Sequence, residues 1–192
     1  MNESWKFLTE IHNFRDLPKD DIPEIVFWGR SNVGKSSLIN SITKSKLART
    51  SKTPGRTRSL IFFEIKKKIR FVDFPGYGFS FIPKNNESKL DNLIDQYVRK
   101  RKNIIMLLLL IDSLHGIKDI DNFILNRLNL YLEHKILLIF TKKDRLKNNA
   151  QKKLLEKYNE FADRKLNKKF FNTSIKEANT IILLKKFLMH SL

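Results

Sequence analysis

The stretch that most constrains this chain is Gly29-Arg30-Ser31-Asn32-Val33-Gly34-Lys35-Ser36, a complete phosphate-binding loop of the G-x-x-x-x-G-K-S form. It lies between Glu24-Ile25-Val26-Phe27-Trp28, which reads as a strand, and Ser37-Leu38-Ile39-Asn40-Ser41-Ile42, which reads as a helix. That strand–loop–helix setting separates a phosphate cradle from a chance match. The glycines let successive backbone N–H groups turn toward one point, and the helix N-terminus adds a partial positive charge there. Lys35 is then within reach of β- and γ-phosphates, and Ser36 is placed to ligate magnesium. A nucleoside triphosphate site follows, and with it an open α/β sheet.

The remaining segments agree with that sheet. Stretches 24–28, 59–65, 69–73, 104–111, 136–141 and 169–173 are short, rich in Ile, Phe, Val and Leu, and bounded by polar turns, as strands are. Helical patterns lie near 36–44, 88–102, 119–133, 148–166 and 177–190. Only the lysines at 66–68 separate the second and third strands, too few for a crossover helix, so these two form an antiparallel hairpin. The others are spaced for βαβ crossovers. The expected fold is a six-stranded, mostly parallel sheet with one antiparallel edge strand and helices on both faces. Residues 21–192 form one domain, and 1–20, with apolar Phe7, Leu8 and Ile11, an extension that packs on it, either as an added strand or over the domain edge. Ligands of such sheets sit at the carboxyl ends of the strands.

Composition removes several alternatives. With 192 residues and 41% hydrophobic content, the chain is long enough for a substantial core. There is no cysteine, so thiolate catalysis and Cys-type zinc sites are excluded. The most apolar run, Ile104 to Ile111, is too short to cross about 30 Å of hydrocarbon and reads as a buried parallel strand. The opening Met-Asn-Glu-Ser-Trp-Lys has no basic region followed by a long apolar run, so a cytoplasmic protein without membrane insertion is expected. A net charge of +18, from 38 basic against 20 acidic residues, favours a polyanionic partner such as RNA, or an anionic membrane face.

Four further motifs fall at predicted strand ends. Asp73-Phe74-Pro75-Gly76 can hold magnesium through water at Asp73 and bring the Gly76 amide close to a γ-phosphate. Taken alone it is also a common turn. Thr141-Lys142-Lys143-Asp144 ends an apolar strand. Asp144 there can accept hydrogen bonds from guanine N1 and its exocyclic amine, which adenine does not offer. Lys142 can lie along the base and brace the phosphate loop. Thr173-Ser174-Ile175 follows the last strand, where backbone amides can meet guanine O6. The same residues also suit a helix N-cap, with Glu177 completing a capping box to Ser174. Gly55, Arg56, Thr57, Arg58 and Ser59 close the loop before the second strand, where a threonine hydroxyl can ligate magnesium when the γ-phosphate is present. On spacing alone Thr50 and Thr53 compete with Thr57.

Taken in this order, the motifs resemble a TRAFAC-class G domain, and within it the EngB family (also called YihA or YsxC) of bacterial ribosome-assembly GTPases. The resemblance rests on the phosphate loop running on to Asn40, on Thr50-Ser-Lys-Thr-Pro-Gly-Arg-Thr57, on Asp73-Phe-Pro-Gly-Tyr-Gly78 and on Thr141-Lys-Lys-Asp144, and it covers nearly the whole chain. It implies a three-layer P-loop G domain binding GTP and GDP with magnesium on Ser36 and Thr57. It selects Thr57 as the switch threonine. It further implies action on the large ribosomal subunit or its precursor, with a linked role in cell division and septation. A monomer is expected, and the basic surface leads to the expectation that it touches rRNA and ribosomal protein. One departure stands out: after Asp112 the family usually carries arginine two residues on, and here that residue is Leu114.

Lys35, Asn32 and Thr57 are the residues expected to assist hydrolysis. Where many small GTPases carry a water-orienting glutamine, this chain has Tyr77, so intrinsic turnover is expected to be slow. Asn32 occupies the place at which potassium-activated GTPases carry asparagine, and a potassium ion there would supply the missing positive charge. Arg56 or Arg58 acting in cis is the rival. Two other readings share the phosphate loop: a kinase for a small acceptor, and a non-hydrolysing RNA-binding module stabilised by nucleotide.

Overall fold

The computed structural model describes residues 4–49, 59–78, 89–132, 135–165 and 168–191. Its centre is a sheet of seven strands: β1 (Lys6–Ile11), β2 (Glu24–Gly29), β3 (Leu60–Ile65), β4 (Ile69–Asp73), β5 (Ile104–Asp112), β6 (Ile136–Thr141) and β7 (Phe170–Asn172), in the order β1-β3-β4-β2-β5-β6-β7. The helices are α1 (Lys35–Thr43), α2 (Lys89–Lys100), α3 (Asp119–Leu132), α4 (Asn149–Glu160) and α5 (Ala178–His190), with a π-helical turn, Phe161–Lys165, after α4.

The mixed α/β class is as expected, but the sheet has seven strands instead of six. The N-terminal stretch supplies the seventh: β1 pairs antiparallel with β3. The strand that runs against the others, β3, is therefore interior and not an edge. β2, β4, β5, β6 and β7 are mutually parallel. The β3–β4 hairpin turns on Lys66 (φ 47°) and Lys67 (φ 54°), with the Lys68 amide donating to the Ile65 carbonyl at 2.9 Å. Two central residues with positive φ suit the right-handed twist of the flanking strands.

All six residues of β2 are buried because the strand lies mid-sheet with helices on both sides. Its alternate residues feed two cores. Val26 and Trp28 pack with Leu93, Ile94 and Tyr97 of α2 and Ile124, Leu125 and Leu128 of α3. Ile25 and Phe27 pack with Leu38, Ile39 and Ile42 of α1 and Ile181, Leu184 and Leu188 of α5. The strand order reverses at β2, which has β4 on one side and β5 on the other. Crevices at the carboxyl ends of strands beside such a reversal are where ligands bind in this architecture.

The amino ends of the strands carry a buried charge network. Glu24, fully buried, accepts from Tyr97 Oη and from Arg101 Nε at 2.9 Å. Arg70 donates from Nε to Glu64 at 3.0 Å and, in bidentate fashion, to Asp20 at 2.6 Å on each arm. Asn103 reaches the Asp20 and Ile22 carbonyls at 2.7 and 3.0 Å. The segment leading into β2 is thereby fixed by side chains from β4, α2 and the turn before β5. Among the described residues no helix is long and apolar enough to cross a membrane.

Candidate nucleotide-binding site

Every described motif lies at the carboxyl end of a parallel strand. The phosphate loop leaves β2 at Gly29, where an added Cβ would come within 2.8 Å of the Leu110 carbonyl oxygen, so no larger residue fits. Asn32 (φ 62°) and Gly34 (φ 103°) take left-handed backbone conformations, which asparagine and glycine tolerate best. Val33 is buried beneath the loop, Asn32 is exposed, and α1 begins at Lys35. Lys35 Nζ forms an ion pair with Asp73 at the end of β4, bringing that carboxylate to the first turn of α1, where Ser36 is the next residue. Burial raises the Asp73 carboxyl above the ordinary carboxylate range, and the charge of Lys35 opposes that rise.

The turn after β4 is tied to the phosphate loop. The Tyr77 amide donates to the Gly29 carbonyl at 3.1 Å, and the Ser31 amide donates to the Tyr77 carbonyl at 2.9 Å. The Phe74 amide donates to Phe27, and Trp28 Nε1 donates to the Pro75 carbonyl, each at 3.0 Å. Phe74 is buried against Trp28 and Tyr97. Gly76 has its Cα face on Ser31: a Cβ there would meet Ser31 Cα at 2.9 Å. The Tyr77 side chain is buried, edge-on to Trp28, and donates to Asp121 at 2.8 Å. It fills the core rather than covering the site.

On the other side of the loop, Lys142 (φ 58°) places its Nζ 2.7 Å from the Asn32 carbonyl and 2.7 Å from Asp112 at the end of β5. Burial pushes the Asp112 carboxyl up, but the hydrogen bond and charge of Lys142 outweigh it and hold the group below its ordinary value. Thr141 Oγ1 donates to the Val33 carbonyl at 2.7 Å. Asp144 is held by the Ser174 hydroxyl at 2.7 Å and by Lys176 at 3.2 Å, and those contacts lower its pKa, the Ser174 bond most. Lys143 turns to Glu177 at 3.2 Å. Thr173 is buried, its amide bonded to the Phe140 carbonyl at 2.7 Å, while Ile175 is exposed beside Asp144's partners.

Three expectations change. The capping box of Ser174 and Glu177 does not form: α5 starts at Ala178 without a side-chain cap, because the Ser174 hydroxyl donates to Asp144 and accepts from the Lys176 amide at 3.1 Å. The Arg30 side chain turns toward α3: it donates to the Gly116 carbonyl at 2.7 Å and pairs with Asp121 at 3.2 Å. The Ser59 hydroxyl is taken by Glu10 of β1, on the side of β3 away from β4. Gly55, Arg56, Thr57 and Arg58, with the rival Thr50 and Thr53, lie outside the described residues. Asp121 gives no signal in the sequence because Asp119 and Asp121 together, in the first turn of α3, read as helix-dipole partners.

Oxygen donors from Ser36 and Asp73 suit a hard cation such as magnesium. Among the described residues no group of three or more His, Cys, Asp and Glu could hold a metal by itself.

This fold and this loop set define a P-loop GTPase domain, and residues 24–142 match the family model described as a 50S ribosome-binding GTPase. Over 153 residues the chain is 40% identical to a probable GTP-binding protein EngB of Photorhabdus laumondii, covering 79% of this chain and 72% of the relative. It is 44% identical over 145 residues to its counterpart in Mycoplasma genitalium, covering 76% and 74%. A crystal structure of a probable GTP-binding protein engB superposes with a TM-score of 0.64 at 27% identity, covering 88% of this chain and 97% of that one. The chain belongs to the EngB family of GTP-binding proteins.

Proposed function

We propose that this protein is a slow, magnesium-dependent GTPase switch that acts in assembly of the large ribosomal subunit, with a linked role in cell division and septation. The observation that carries the guanine assignment is Asp144, held by Ser174 and Lys176 just beyond β6, two residues after Lys142, which ties the phosphate loop to this edge. The carboxylate would accept from guanine N1–H and N2–H, and backbone amides at Thr173, Ser174 and Ile175 would meet O6. Phosphates would rest on the loop amides and on Lys35, which exchanges Asp73 for phosphate oxygen when nucleotide enters. Ser36 and Thr57 would hold magnesium, with Asp73 acting through water. The ion would neutralise charge on the β- and γ-phosphates.

Slow turnover follows from Tyr77, whose hydroxyl is committed to Asp121. Positive charge for the transition state then has to come from elsewhere, and a potassium ion on Asn32 is the proposed source. The +18 charge supports an rRNA partner, and the name of the matching family model supports a ribosomal one. The expected state is a cytoplasmic monomer. Two measurements test the reading. Asp144→Asn should shift preference from GTP to xanthosine triphosphate; unchanged preference returns the loop to the small-acceptor kinase reading. Co-sedimentation with ribosomal subunits in GTP, GDP and no nucleotide should show GTP-dependent binding to the large subunit. Nucleotide-independent binding without phosphate release would favour a non-hydrolysing RNA-binding module.

A further inference from the structure

Asp121 is 1% exposed in the first turn of α3, and its carboxylate is shared by three elements. Tyr77 Oη donates to Oδ1 at 2.8 Å, the Lys118 amide donates to Oδ2 at 2.8 Å, and Arg30 Nε lies 3.2 Å from Oδ1. Arg30 belongs to the phosphate loop, and its second arm donates to the Gly116 carbonyl beyond β5. Tyr77 belongs to the turn after β4, and its backbone is already bridged to Gly29 and Ser31. Between them sits Gly76, in van der Waals contact with Ser31. The phosphate loop and the 73–77 turn are therefore locked together twice, once by backbone bonds and once by side chains converging on one buried carboxylate. Filling the space beneath the turn requires only a ring. A buried phenol and carboxylate are costly to desolvate, and the Tyr77 hydrogen bond with the ion pair to the half-buried Arg30 offsets that cost while favouring one geometry.

We propose that Asp121 is a positioning residue for the γ-phosphate: through Arg30 and Tyr77 it sets the distance between the phosphate loop and Gly76 before nucleotide arrives. The proposal rests on the GTP-site reading given above. A diphosphate uses the phosphate loop alone, whereas a triphosphate also needs the Gly76 amide. Loosening the clamp is therefore selective against triphosphate. A role confined to stability would weaken both nucleotides alike.

The test measures affinity for GDP and for a non-hydrolysable GTP analogue in the full chain and in Asp121→Asn, Tyr77→Phe and the double variant. Melting temperatures without nucleotide accompany each measurement. Tyr77→Phe keeps the ring against Trp28 and is the variant on which the test stands if Asp121→Asn does not fold. Each single variant is expected to lose at least about fivefold in analogue affinity. GDP affinity should change by less than about twofold, and the double variant should be no worse than the poorer single one, as expected of one interacting unit. Equal losses for GDP and analogue, or no loss of analogue affinity in Tyr77→Phe, overturn the proposal. Failure of the unmutated chain to bind either nucleotide would instead overturn the GTP-site reading itself.

Discussion

At the scale of single residues, the site is a set of charges already paired. Lys35 sits on Asp73, Lys142 on Asp112, and Asp144 on Ser174 and Lys176. Removing one member of such a pair exposes the cost of the other. Lys142→Met keeps the aliphatic stem but leaves the Asp112 carboxylate with the Leu114 amide and without its cation. A loss of about 1–3 kcal/mol is expected, read as a lower melting temperature. With Lys142 gone, the Asp112 carboxyl should also titrate at higher pH, measurable by NMR. Gly76→Ala is expected to be severe for a different reason: the added methyl meets backbone atoms of Ser31 at 2.9 and 3.0 Å, which cannot rotate aside. The turn must retreat from the phosphate loop, and triphosphate affinity should fall at least about tenfold by calorimetry; unchanged affinity would show that the turn lies outside the phosphate seat. At this scale the chemistry-bearing residues were legible because their spacing and strand-end placement follow from phosphate geometry. Asp121 and the direction of the Arg30 side chain were not. They depend on α3 folding back over the phosphate loop, which no local pattern encodes.

At the scale of elements, the β3–β4 hairpin is strained. Lys66 and Lys67 both take positive φ, a region that costs an ordinary L-residue roughly 1–2 kcal/mol. Replacing the pair by Asn-Gly is expected to raise stability by about 1 kcal/mol, a gain of a few degrees in melting temperature. The network at the amino ends of the strands gives a pH dependence. The Arg70 hydrogen bond lowers the Asp20 pKa in the folded chain, so the unfolded chain binds more protons through the acid range. The stabilisation is full above the unfolded carboxylate pKa, about 3.9, and is lost as pH falls through the lower folded value. Asp20→Asn should thus melt lower than the unmodified chain at neutral pH, and the gap should close in acid. Five of the helices and six of the strands were visible as apolar runs between polar turns. β1 was legible only as one of two choices, an added strand or a cover over the domain edge: of Lys6 to Ile11 only Ile11 is buried, and the partner strand lies some fifty residues on, so its register comes from β3 alone. The cap at Ser174 failed as a reading because the hydroxyl had a longer-range acceptor.

At the scale of the whole molecule, the proposed rRNA partner and the proposed potassium ion each predict a dependence on salt. A chain with net charge +18 that grips rRNA by roughly six phosphates should lose about a thousandfold in affinity for ribosomal particles between 50 and 200 mM salt. A flat salt response in sedimentation would assign the contact to ribosomal protein instead. Hydrolysis should be faster in potassium than in sodium at equal ionic strength, and the difference should vanish in Asn32→Ala; equal rates in both salts would leave the transition-state charge to Arg56 or Arg58. The strand order has a consequence for biosynthesis as well. β1 leaves the ribosome first but pairs with β3, and β2 gains its second neighbour only with β5. From there on β6 and β7 join one edge in the order they are made. A nascent chain is thus without a completed centre of the sheet until β5 has emerged, and the base-binding edge at Asp144 and Thr173–Ile175 is added only as β6 and β7 join that border. Protease protection of stalled nascent chains should therefore rise in one step after β5 and in small increments beyond it.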